Sequence, residues 1–356
     1  MKGIRVDVID GTEDPVWDAF VRAAPGGSHV QSALWATVKA RIGWSATRVV
    51  ARRGGLIVGG AQILLRDVGP ARLAYAPRAP LCGSDDPAVL AAVLEGMIEV
   101  ARRRRLTYLK VQPPAGRSDI LETLRGRGFV ASDLEAAPLA SAVVDLASDS
   151  EILLARMRSG TRANIRKAQR RGVTVRVGGA DDFPVFQRLV AATSERQGFD
   201  PYPAEYFRGM WEAFAAAADA VVLIAEYQGA PVTSLLVVGF NDTASFKMGG
   251  WRGDRVVRPN ELAHFRAMCW ARERGYRFYD LEGFEPDVER AFARGQPSEA
   301  STHGVAWFKQ GFGGDVMIFP EAMDYSPSRI LRPAVRLAAP RLTGARRMAF
   351  RLLGRH

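Results

Sequence analysis

The chain has 356 residues, with 49 Lys and Arg against 38 Asp and Glu, 47% apolar residues and 24% charged ones. That balance excludes a disordered chain and, at this length, points to two or three domains or one large α/β unit. No run approaches the ~18 apolar residues of a membrane span, and the opening MKGIRVDVIDGTEDP has no long apolar core of the kind a secretion signal carries. Cys82 and Cys269 stand alone, which excludes a disulfide framework and a paired-cysteine metal site and leads us to expect a reducing, cytoplasmic setting.

In chain order, Pro15 to Arg22 and Ala33 to Arg41 read as helices. Thr47 to Arg53 and Leu56 to Leu65 read as strands joined at Gly54-Gly55, a hairpin signal, and Leu73 to Ala76 extends the sheet. Pro87 to Arg105 is a long amphipathic helix whose closing arginines suit a helix C-terminus. Tyr108 to Gln112 is a buried strand stopped by Pro113-Pro114. A helix follows to Gly126 with Ser118 as its N-cap, then the strand Ala142 to Leu146.

From there the order begins again. Glu151 to Arg171 reads as one helix and Val173 to Val177 as a strand. Phe183 to Gly198 and Ala204 to Ala217 are helices; Val221 to Tyr227, Val232 to Phe240 and Ala244 to Met248 are strands. Asn260 to Arg274 is a helix closed by Gly275, before the strand Arg277 to Leu281. Each half offers helices, a hairpin, a strand, a helix and a strand, so the expected fold class is α/β (α+β) with two related units. The units are expected at 1–147 with 320–356 and at 148–319.

Charge is uneven. Arg156 to Arg176 holds eight basic residues and no acid, and Arg329 to the end holds eight arginines and no acid, which leaves the remainder net negative. Two such patches point to a polyanionic partner, nucleic acid or an anionic membrane surface; the plainer alternative is a pair of solvated helix faces. Arg162, Arg166, Lys167 and Arg170 recur at spacings that share a helix face. In the C-terminal stretch Leu342, Ala345, Met348, Ala349 and Leu352 share another, set to pack on the body, to grip RNA or to make a peripheral membrane contact.

Five strings carry a resemblance: Gln31-Ser32-Ala33-Leu34-Trp35 with Val38-Lys39; Ser159 to Ala168 running into Gly172-Val173; Asn260-Glu261-Leu262; Tyr279 to Gly283; and Trp307 to Gly314. In this order they resemble the FemAB family of aminoacyl-tRNA-dependent transferases. The resemblance implies a tandem pair of acetyltransferase-like (GNAT) domains. It also implies the armless form, since no heptad stretch for a coiled-coil arm occurs. It implies that Lys309, beside Phe308 in a Phe-Lys-x-Gly-Phe-Gly-Gly motif, supports transfer. It further implies that Lys39, near Trp35, meets acceptor phosphates, and that Tyr206 belongs to the acceptor site. Tyr75 and Arg78 keep the family's Tyr-x-Pro-Arg loop, with Ala79 where glycine is usual. Two positions depart: Tyr202 stands where cell-wall members have an arginine, and Gln112 where they have an aspartate.

Pattern alone leaves Lys309 open, because a lysine after the apolar run Val305 to Phe308, read as a strand, is either a snorkelling side chain or a partly desolvated cation. Lys39 by pattern alone is a solvated lysine. The sequence has no GxSxG, HExxH or P-loop motif. At Val256 to Leu262, where an acetyl-CoA enzyme turns its glycines onto a diphosphate, Pro259 lacks an N–H and there is no glycine. The expectation is therefore a monomeric enzyme with aminoacyl-tRNA as co-substrate, without acetyl-CoA or metal. The altered acceptor pocket favours a small peptide or amino-acid-like antibiotic precursor as acceptor. The alternatives are a nucleotide- or lipid-linked peptidoglycan precursor or, from another class, a non-catalytic RNA- or membrane-binding protein.

Overall fold

The computed structural model describes residues 3–132, 137–200, 202–253, 256–296 and 304–328. The Arg-rich stretch from Arg329 onward, with the apolar face expected on it, lies outside the described residues. The chain divides into two compact units. One runs to Leu139 and resumes at Phe319; the other is Ala140–Ile318.

In the first unit, β1 (Ile4–Asp10) is followed by α1 (Pro15–Ala23) and α2 (Ala33–Ala40), and pairs antiparallel with β2 (Ser45–Arg53). β2, β3 (Leu56–Val68) and β4 (Ala71–Pro77) form an antiparallel meander, with the short β5 (Leu81–Cys82) on β3. α3 (Pro87–Arg103) crosses back, so β6 (Tyr108–Gln112) lies parallel to β4. α4 (Asp119–Gly126) and β7 (Val130–Ala131) follow.

Local chemistry explains the starts of these helices. Asp14 accepts the Trp17 N–H and Asp86 the Ala88 N–H, each at 2.9 Å, and each is followed by a proline that needs no N–H partner. Ser118 holds the N-cap position of α4, but its side chain makes no capping bond. The inner face of α3 sets Val89, Val93, Leu94 and Met97 in one core with Val49, Ala61 and Ile63. Each such side chain contributes about 1.5–3 kcal/mol when fully buried. A Cβ on Gly96 would stand 2.5 Å from a Val49 methyl, so only glycine lets α3 lie this close to the sheet.

The second unit opens with β8 (Ala140–Asp145), α5 (Ser150–Arg156), α6 (Ser159–Arg170) and β9 (Thr174–Gly178). α7 (Phe183–Gln197) and α8 (Ala204–Ala215) lead to an antiparallel meander of β10 (Ala220–Tyr227), β11 (Ala230–Phe240) and β12 (Thr243–Trp251). α9 (Pro259–Glu273) crosses back and β13 (Phe278–Gly283) runs parallel to β12. α10 (Pro286–Ala293), α11 (Gly304–Gln310) and β14 (Asp315–Ile318) complete the unit, with β8 between β13 and β14. The chain then returns to the first sheet, where β15 (Met323–Tyr325) inserts between β6 and β7.

The two units share one order: an edge strand, two helices, a meander, a crossing helix and a strand parallel to the last of the meander. This is the repeat the sequence predicts. Three expectations change. Val305 to Phe308 is helical, not extended, and Lys309 lies on that helix. The single helix expected from Glu151 to Arg171 breaks at Met157–Arg158, where both residues are extended and the Arg158 N–H bonds the Gly311 carbonyl at 2.9 Å. The division falls before Ala140 rather than after residue 147, because β8 pairs with β13 and β14. No described helix is long and apolar enough to cross a membrane.

Candidate active site

In the second unit the glycines after α11 set the position of Lys309. A Cβ on Gly313 or Gly314 would stand 2.6 Å from the carbonyl oxygen of Arg156 or Val143 respectively, so this turn packs directly on backbone. Lys309 is half-buried, and its Nζ donates to the Gly283 carbonyl. Burial holds its pKa below the ordinary lysine value, against the carboxylates of Glu282, Asp280, Glu289 and Glu285, which favour the charged form.

A kink at the end of β13 presents that carbonyl. Glu282 has φ +58°, in the left-handed region, and the β8–β13 register shifts between Asp280 and Gly283. A non-glycine residue held there costs about 1–3 kcal/mol. The Asp280 carboxylate offsets it by accepting the Glu282 N–H at 2.6 Å, and it also accepts the Ser141 hydroxyl. Burial pushes the Asp280 carboxyl upward. The Glu282 carboxylate pairs with Lys247 of β12.

Aromatic groups line this charged cluster. Tyr206 of α8 is buried, with the Tyr202 ring 4.2 Å from its own. Burial, then Tyr202 and the Glu282 carboxylate, raise its hydroxyl well above the usual value. Phe308 lies edge-on to His264 at 5.5 Å, and His264 Nδ1 is 3.0 Å from the Tyr279 hydroxyl. Burial and then the Lys309 charge push His264 down to about 3, so it is neutral wherever the protein works.

In the first unit the expected acceptor residues fall into two linked groups. Tyr75, Arg78 and Gln112 meet where the parallel strands β4 and β6 end, Pro77 opposite Gln112. The Tyr75 hydroxyl donates to Gln112 Oε1 at 3.3 Å, and Gln112 Nε2 donates to the Pro138 carbonyl at 3.3 Å. Arg78, at φ +51°, donates to the same carbonyl at 2.9 Å and lies 3.2 Å over the Phe319 ring. Trp35 and Lys39 share α2, with Lys39 Nζ 5.3 Å from the Trp35 ring centroid. At 5% exposure Lys39 is not the solvated lysine that pattern alone gives. Gln31 joins the groups: its amide donates to the carbonyls of Gln62 (3.1 Å) and Pro77 (2.6 Å), and it accepts the Gln62 N–H.

Tyr202 and Tyr206 belong to the second unit, with Lys309 and Phe308, rather than to this group. On α6, Arg166 and Arg170 are exposed and Lys167 is half-buried. Arg162, half-buried, donates Nη1 to the carbonyls of Ala155 (2.9 Å) and Met157, closing the end of α5. Sequence reasoning missed Lys247, His264 and the pairing role of Glu282. The available signals were a lysine inside an otherwise apolar strand and an acid inside the Tyr279–Gly283 string.

The chain is similar to several known proteins. The lipid II:glycine glycyltransferase of Staphylococcus saprophyticus is 26% identical over 231 residues, which are 62% of this chain and 56% of that protein. The protein of the same name from Staphylococcus aureus (strain MRSA252) is 27% identical over 219 residues, 58% of this chain and 52% of that one. The chain thus spans about half the length of the curated relatives it matches. Among solved structures, a crystal structure of FemX superposes with a TM-score of 0.80 at 21% identity, covering 94% of this chain and 100% of that one. A tandem GNAT protein from the clavulanic acid biosynthesis pathway gives 0.56 at 16% identity, covering 91% and 100%. These likenesses establish a tandem GNAT-like fold. The FemAB family pattern matches residues 12–123 and 128–230, more than half of the sequence, and the chain belongs to the FemAB family.

Proposed function

We propose that the protein is an aminoacyltransferase that moves an amino acid from its tRNA ester to the amine of a lipid-linked peptidoglycan precursor. One observation carries the reaction: a desolvated lysine cation, fixed on the Gly283 carbonyl and flanked by carboxylates, in an aromatic-lined site. The acceptor amine attacks the ester carbonyl carbon, a C–N bond forms and the C–O bond to ribose breaks. The amine proton passes to the Glu282 carboxylate, which returns it to the departing ribose oxygen. Negative charge develops on the carbonyl oxygen and then on the ribose oxygen, and Lys309 stabilises both; one such donor typically contributes roughly 10²–10³ in rate. The ester is already activated, so the step asks for no metal and no nucleotide. Acetyl-CoA is a poor fit, because the first turn of α9 begins at Pro259 and carries the buried Glu261 carboxyl, bonded to Asn164 at 2.7 Å, where a diphosphate would need open N–H groups.

The relatives' names favour the lipid-linked acceptor over the antibiotic precursor expected first. The two departures behind that first expectation have structural uses here: Gln112 bridges Tyr75 and Pro138, and Tyr202 packs on Tyr206. This reading puts the reaction at the cytoplasmic face of the membrane, because its two proposed substrates, a charged tRNA and a lipid-linked acceptor, would meet there. Transfer of label from aminoacyl-tRNA to lipid II, to a uridine-diphosphate-linked muramyl peptide and to free dipeptides tests the reading. Lipid II is expected to be the best acceptor; faster transfer to free dipeptides would restore the antibiotic-precursor reading.

A pH dependence follows from the same site. Lys309 acts protonated, and its lowered pKa makes turnover fall, as pH rises, before an ordinary lysine at about 10.4 would lose its proton. Glu289 raises the Lys309 pKa, and its Oε1 accepts the Phe284 N–H at 2.8 Å. Glu289→Gln keeps that acceptor and removes the charge, so the alkaline limb of the pH–rate profile should move to lower pH. A limb that stays in place would assign it to another group.

A further inference from the structure

α11 carries two side chains of opposite character. Lys309 reaches inward to Gly283, whereas Trp307, two residues earlier, is 45% exposed. The Trp307 ring is not left alone: the Arg158 guanidinium lies 3.3 Å from its centroid. Arg158 is itself fixed, by Nη1 to the Trp307 carbonyl at 2.9 Å and by its N–H to the Gly311 carbonyl. The break between α5 and α6 serves this placement, since Arg158 stands at the N-cap of α6. Beyond it the helix displays Arg166 and Arg170, within a stretch of eight basic residues and no acid.

We propose that Trp307 and Arg158 form a stacking platform for the unpaired 3′-terminal nucleotides of an RNA whose phosphates follow Arg166 and Arg170 along α6. The proposal rests on the RNA-borne donor proposed above and assigns that donor's single-stranded end to named residues. An indole with a guanidinium on one face offers a flat, cationic surface that accepts any base, because every base has a π-face. A phosphate backbone supplies the charge complementary to the helix. The same short helix carries Lys309, so a terminal base on Trp307 brings its ribose ester to the helix that performs transfer.

The test uses the full chain and two RNA hairpins, one with a single-stranded 3′ tail and one blunt, titrated across a salt series. Trp307→Ala is expected to weaken the tailed hairpin roughly ten- to a hundredfold and to leave the blunt one unchanged, with Trp307→Phe recovering most of the loss. The backbone carbonyl that holds Arg158 survives this substitution, so the fold should be retained, and thermal unfolding checks it. Replacing Arg166 and Arg170 together by alanine should reduce the salt slope for both hairpins, by about one unit for each phosphate no longer neutralised. If Trp307→Ala binds the tailed hairpin as well as the parent does, while the α6 variant still loses affinity, the platform falls and the RNA-borne donor stands. If the parent binds neither hairpin yet binds phosphatidylglycerol vesicles through Trp307, this face is a membrane surface and both readings fail.

Discussion

Replacing Lys309 by methionine is expected to slow single-turnover transfer from preformed aminoacyl-tRNA by a factor on the order of 10²–10³, about 3–4 kcal/mol of transition-state stabilisation. kcat and kcat/KM should fall together, with tRNA and acceptor affinities nearly intact, since the charge is needed only as the ester breaks. Methionine keeps the apolar stem but takes the Lys309 donor from the Gly283 carbonyl and leaves Lys247 as the remaining cation beside the Asp280 and Glu282 carboxylates. A stability loss of about 1–3 kcal/mol should therefore accompany the rate loss, a larger cost than a surface lysine would carry. Lys309→Arg retains the charge and should recover part of the rate, because a planar guanidinium presents its donors elsewhere. Unchanged single-turnover rates in the methionine variant would move the chemistry away from this residue.

The second large effect concerns stability. Lys110 and Asp324 form an ion pair at 2.8 Å, the lysine side chain fully buried and the aspartate 11% exposed. The Tyr108 hydroxyl donates to the same aspartate oxygen at 2.7 Å, and Ser132 accepts from the lysine. Asp324→Leu leaves the buried ammonium without its counter-charge, with the neutral Ser132 hydroxyl still accepting from it, and should cost about 3–5 kcal/mol. The Lys110→Met, Asp324→Leu double variant should regain much of that, because the lone charge is gone. Urea unfolding, with separate transitions fitted for the two units where they appear, measures both. A single-variant loss below about 1 kcal/mol would mean that water reaches this pair.

Those partners lie 214 residues apart, which shows where sequence reading stops. Asp-Pro helix starts, the Gly54-Gly55 turn and the crossing helices are local signals, and they give most of both meanders and the repeat. The strands β14 and β15 are four and three residues long and carry no pattern of their own; their distant partners define them. Val305 to Phe308 is an unbroken apolar run with no period, so a strand and a buried helix look alike there. At the break at Met157–Arg158 the local signal is Ser159-Gly160 just after it, which a single-helix reading passes over, and a tertiary bond from Arg158 to Gly311 holds it.

The candidate site divides in the same way. Lys309 and Phe308 stand in a string that marks itself, whereas Tyr206 comes only from the family resemblance. The carboxylates that set the charge of Lys309 become neighbours only once α10, α11 and the kinked end of β13 come together. Gln31 is a further case: its string is conspicuous, but its bonds to Gln62 and Pro77 depend on β3 and the end of β4 being in place.

The return of the chain to the first sheet has a consequence for biosynthesis. β15 fills the gap between β6 and β7, so the half of the protein that leaves the ribosome first lacks an inner strand until residues 323–325 emerge. The other half has all of its strands once Ile318 is out. During translation the later-made unit is the first able to close, while β6 and β7 wait with open hydrogen-bonding edges of the kind that recruit foreign strands. Maturation then runs opposite to synthesis, and the exposure of β6 and β7 to mispairing ends only when β15 is in place.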